Sequence, residues 1–167
     1  MPGPLNVNVG LTESPKKLKL NAVPPLLAEA VAKAAEEADK ANKANAVNKA
    51  KSLLAGNAYS RSGLISALKS EGYNDTYATY GADNCGADWE TQAVNKAKAY
   101  VKQTDYTRDA LINKLKSDGF TDSQAAYGAD NCGIDWEAKA AEEARKAAEE
   151  ADKANKANAV NKAKSLL

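Results

Sequence analysis

Through the middle of the chain, apolar residues recur at three- and four-residue steps, the period of an α-helix. In "AVNKAKSLL", Val47, Ala50 and Leu54 fall on one face. In "RSGLISALKSEG" the stripe is Leu64, Ile65 and Leu68, and in "RDALINKLKSDG" it is Leu111, Ile112 and Leu115. Ser60 and Thr107 stand just ahead of these helices, where a side-chain oxygen can accept from orphan backbone N–H groups. Gly72 and Gly119 follow, where helices commonly end in a left-handed residue. "TDSQ" at 121–124 has the spacing of a capping box, and Asn74 supplies half of one. A third helix places Ala78, Ala82 and Cys85 on one side and closes at Gly86. Asp88 and Asp135 then read as N-caps of the next helices, with Trp89 and Trp136 turned into the core. The predicted core is Leu64, Ile65, Leu68, Cys85 and Trp89, with Leu111, Ile112, Leu115, Cys132 and Trp136 as its second half.

The pattern is written twice. Ala46–Glu90 aligns with Ala93–Glu137 without a gap, at a period of 47 residues, with 26 of 45 positions identical. A second repeat is letter-perfect: "KAAEEADKANKANAVNKAKSLL" stands at Lys33–Leu54 and again at Lys146–Leu167. Duplicated modules drift, so a perfect copy is recent or deliberate. It fits one period of a longer array, or one helix grafted onto both ends. Beyond Trp136 no glycine or proline interrupts a run rich in Ala, Glu and Lys, which predicts one helix to the C-terminus. Glu142–Lys146, Glu149–Lys153 and Asp152–Lys156 are ordered as supporting i,i+4 pairs. The end of this helix has the sequence of the first helix of a third module. The Ala-rich stretches read either as solvated spacers or as alanine-faced coiled coils. At the other end "LNVNVGL" and "KLKLNAV" alternate like paired strands, a floppy tail or an assembly strand.

The expected fold is therefore all-α: two tandem three-helix modules joined by continuous helices. Long Ala-rich helices lie at both ends, after a short β-like N-terminal segment. The expected organisation is 1–25 extended, 26–45 Ala-rich helix, 46–92 first module, 93–137 second module and 138–167 long C-terminal helix.

Charge narrows the functions. With 23 basic and 22 acidic residues the net charge is +1, so no global field draws the chain to nucleic acid or membrane. The third helix of each module, "NDTYATYGADN" or "TDSQAAYGADN", has no Lys or Arg for phosphates. Histidine is absent, removing the commonest general base and zinc ligand. No nucleophile stands beside a base and no glycine-rich phosphate loop occurs, so no catalytic, cofactor or metal residue is expected. No apolar run approaches the roughly 20 residues of a membrane span. The start, "MPGPLNVNVG", has neither the basic region nor the hydrophobic stretch of a signal peptide, and no lipobox is present. Cys85 and Cys132 read first as small buried hydrophobes, with a disulfide between them as the alternative.

The string "AVNKAKSLL…YSRSGLISALKSEGY…ATYGADNCGADW", with its second copy, resembles the repeat of the Ltp-type, host cell surface-exposed lipoproteins of Gram-positive bacteria and their prophages. The resemblance covers about residues 46–137. It implies a compact three-helix, helix-turn-helix-like repeat, usually displayed outside the cell on a lipid anchor. For phage-borne members it implies superinfection exclusion, blocking DNA injection by an incoming phage through its tail tape-measure protein. The expected role is thus a non-enzymatic surface binding module whose partner is a protein, either a phage tail protein or other copies of itself. Tyr59, Tyr77, Tyr100 and Tyr106, read as exposed, and Arg61 and Arg108 are the candidate contacts, since aromatics and arginine dominate binding energetics; Tyr59 and Tyr106 recur in both copies and read alternatively as core. The alternative is a structural subunit of a filament or engineered scaffold, a homo-oligomer joined through the duplicated 22-residue helix.

Overall fold

The structure, a computed structural model, describes residues 24–165. The N-terminal segment read as β-like lies outside them. Among the described residues seven helices follow one another: α1 (Pro25–Gly56), α2 (Arg61–Ser70), α3 (Asp75–Asn84), α4 (Trp89–Val101), α5 (Arg108–Ser117), α6 (Asp122–Asp130) and α7 (Trp136–Lys164). The protein is all-α, with no strand among the described residues. It divides between Lys40 and Ala41 into two compact units, of which the first holds the start of α1. There residues 25–38 are all exposed. The second unit holds the end of α1 and everything after it.

Local chemistry sets the helix ends. Ser60 accepts from Gly63 N, Asn74 from Tyr77 N, Asp88 from Glu90 N and Thr91 N, Thr107 from Ala110 N, and Asp135 from Ala138 N. Thr121 and Gln124 complete the reciprocal capping box. At the other ends Gly72 (φ 94°) and Gly119 (φ 88°) take the left-handed conformation. There Gly72 N donates to Lys69 O and Tyr73 N to Leu68 O, and Gly119 N donates to Lys116 O and Phe120 N to Leu115 O. These paired bonds are the Schellman motif, which brings the residue after the glycine onto the helix it ends.

Two apolar clusters form the core. Ala50, Leu64, Leu68, Ala78, Ala82 and Cys85 make the first, with Tyr59, Ile65, Tyr73 and Trp89 packed against it. Ala93, Ala97, Leu111, Leu115, Phe120, Ala125, Ala129 and Cys132 make the second, with Tyr100, Tyr106, Ile112 and Trp136 against it. Each tryptophan belongs to the helix that follows its cluster, so α4 and α7 begin on the core they leave behind. Ile65, Ile112, Trp89 and Trp136, predicted for the core, pack against it half-buried, and the leucines and alanines fill the interior. Trp136 Nε1 donates to Ala129 O at 2.9 Å, which holds the indole at the core's edge.

Alanine and glycine fill these interiors because the helices cross closely. A Cβ on Gly81 would lie 2.8 Å from Ala46 O, and one on Gly128 would lie 2.9 Å from the Ala93 backbone. The buried face of α1 is accordingly Ala46 and Ala50, with the predicted Val47 and Leu54 half-buried. In α7 no residue is buried. Its surface carries Glu142–Lys146 and Asp152–Lys156 ion pairs as expected, whereas Glu149 pairs with Arg145 at 2.9 Å.

Candidate functional site

Chemistry-bearing side chains collect at the starts of α2 and α5, which occupy equivalent places in the two modules. Arg61 forks onto Asp83, Nε to Oδ1 at 2.5 Å and Nη2 to Oδ2 at 2.8 Å. Arg108 forks onto Asp130 in the same way, at 2.6 and 2.9 Å. Each pair ties the first residue of the second module helix to the last turn of the third. Hydrogen bonding from the guanidinium holds the Asp83 and Asp130 carboxyls below their ordinary value, and the two arginines are raised in turn. The signal was in the sequence: Arg and Asp recur 22 residues apart at invariant positions of both copies.

The tyrosines differ from the expectation. Tyr59, Tyr77, Tyr100 and Tyr106 are half-buried, because three of them serve as lids on the apolar clusters. Tyr100 and Tyr106 tilt against each other with ring centroids 6.1 Å apart. The Tyr100 hydroxyl donates to Asp118 Oδ2, and Lys96 and Lys114 approach the Tyr100 ring at 5.4 and 5.0 Å. Burial, then the Asp118 bond, raises the Tyr100 hydroxyl above its usual pKa. The exposed rings are instead Tyr80 (39%) and Tyr127 (44%), the residues that open the repeated "YGADNCG" phrase. Lys43 lies over the Tyr80 ring at 5.4 Å.

Both cysteines are free and buried, and each donates its S–H to a carbonyl one turn back, Cys85 to Ala82 O and Cys132 to Ala129 O. The disulfide alternative is therefore not what the structure holds. Among the described residues no group of three potential metal ligands occurs. Among the described residues, concavities open to solvent as grooves. One of about 320 Å³ lies between α5 and α7, lined by Thr107, Arg108, Asp109, Trp136, Lys139 and Glu143 among others.

The modules meet through the start of α2. Ser60, 2% exposed, donates its hydroxyl to Asp118 O at 2.5 Å, and Ser62 donates to Gly119 O at 3.2 Å. Sequence reading took Ser60 only as a cap, and the joint it makes across 58 residues was invisible.

These features define an all-α tandem-repeat protein whose chemistry is spread over a helical surface. Residues 88–132 match the model of the host cell surface-exposed lipoprotein family, Ltp. That stretch runs from the N-cap of α4 to the cysteine after α6, and the resemblance read from the residues holds over it. No curated protein and no solved structure matches the chain. No helix among the described residues is long and apolar enough to cross a membrane.

Proposed function

We propose that the chain is a non-enzymatic binding module displayed at a cell surface, and that its target is a protein. The observation that carries this reading is the Ltp-type match over 88–132, repeated in the chain at a 47-residue offset. What supports it structurally is a surface of open grooves and exposed aromatic rings beside fixed charge pairs. The target supplied by the resemblance is a phage tail tape-measure protein, and the outcome is superinfection exclusion in a Gram-positive host. Tyr80 and Tyr127 join Arg61 and Arg108 as candidate contacts; Tyr59, Tyr77, Tyr100 and Tyr106 can offer only their outer edges. The test is titration of purified tape-measure protein onto the immobilised chain. Binding near about 1 µM or tighter, weakened by Tyr80→Ala with Tyr127→Ala, is expected. No binding at tens of micromolar would remove the tail protein as target.

A second reading, self-association through the duplicated helix, is favoured by one observation. In α1 the sequence "AVNKAK" is seated with Ala46 and Ala50 at 0% exposure, while in α7 the same letters leave Ala159, Val160 and Ala163 exposed. The C-terminal copy of one molecule could replace α1 on another. The contacts exchanged are identical, so the tether that keeps α1 beside α2 favours the closed form up to about millimolar effective concentration. Growth of particle mass only at such concentrations is the expected sign in sedimentation.

A further inference from the structure

The joint between the modules is a lock whose counterpart on the second module stands open. On the first module, Ser60 and Ser62 receive the glycine-terminated end of α5 by donating to Asp118 O and Gly119 O. The approach is close: a Cβ on Gly119 would collide with Ser62 Oγ. Lys96, about two turns into α4, lines the same place with Asp118. Moved by 47 residues, Ser60, Ser62 and Lys96 become Thr107, Asp109 and Glu143. All three line the groove of about 320 Å³ between α5 and α7. The groove is therefore the same receiving face, rewritten at two of three positions.

We propose that this groove receives the basic, glycine-terminated last turn of a helix on a protein partner. The retained part of the lock is the hydroxyl. Thr107 Oγ1 accepts from Ala110 N at 3.3 Å, as Ser60 Oγ accepts from Gly63 N at 3.0 Å, so its proton is free for an incoming carbonyl. The rewritten part selects charge. Asp109 and Glu143 put carboxylates where the first module has a hydroxyl and an ammonium. Nearby Asp105 adds a third carboxylate, and Lys139 pairs with both Asp105 and Glu143. A turn carrying Lys or Arg where α5 carries Asp118 would meet these carboxylates, and basic residues are favoured in last turns by the helix dipole. The chain's own free turn, Glu71–Gly72, is acidic and is refused, so the stacking of modules does not continue from copy to copy. This deepens the binding-module reading and rests on it only for the partner's being a protein.

The test uses the chain as its own probe, so its outcome is independent of any tail protein. Glu71→Lys makes the free turn basic and removes only an exposed ion pair with Lys49. In low salt this variant should associate head to tail at least about tenfold more tightly than the unaltered chain by sedimentation. Adding Asp109→Lys and Glu143→Lys should return it to the unaltered behaviour. Glu71→Arg serves if the lysine variant loses helicity. Association no tighter than the unaltered chain's, or association that survives the two groove substitutions, overturns the proposal.

Discussion

Gly81 and Gly128 sit where a side chain has no room, each against the backbone of the first helix of its module. Neither has an unusual φ, so the requirement is closeness alone. Gly81→Ala should cost about 1–3 kcal/mol in urea unfolding, as overpacking does. Leu68→Ala and Leu115→Ala, at 0% exposure, should each cost about 2–5 kcal/mol. Titration follows from the forks. Asp83 and Asp130 are lowered in the fold, so the unfolded chain takes up their protons first. Their contribution is present above about pH 4 and is lost as pH falls through the depressed folded values. Both pairs are solvent-facing, which keeps the effect small. Thermal melts from neutral to acid pH should decline in that window, and Asp83→Asn with Asp130→Asn should flatten the decline.

Helices here are delimited by side chains readable one by one: Ser60, Asn74, Asp88, Thr107, Thr121 and Asp135 all cap as the sequence implied. Thr121→Ala should destabilise by about 1 kcal/mol, with Gln124→Ala costing less. Phe120, 4% exposed, was missed because it follows the terminating glycine and reads as loop. The Schellman geometry carries it back onto Leu115, and an apolar residue just after such a glycine is the signal that would have found it. α7 illustrates the converse. Its propensity and ion pairs make a helix with no buried residue. Amide exchange should therefore be fast along 140–164 and slow in α2 and α5, whose leucines are buried.

At the scale of the molecule, the coupling of two clusters through Ser60, Ser62, Asp118 and Gly119 is what turns two modules into one unit. Gly119→Ala combines a left-handed φ with a collision at Ser62 and should loosen this joint. Calorimetry should then resolve a broader or split transition where the unaltered chain gives one. Ser60→Ala should act in the same direction, since it strands the Asp118 carbonyl and the Gly63 amide.

The repeat, the helix boundaries and the leucine core followed from the chain alone, because periodicity, caps and glycines act over a few residues and are spelled in order. Which tyrosines face water, where Arg61 and Arg108 find their carboxylates, and which face of one module holds the next depended on packing between segments distant in sequence. A 47-residue period says that two surfaces are equivalent; only the tertiary structure shows that one of them is covered and the other left open.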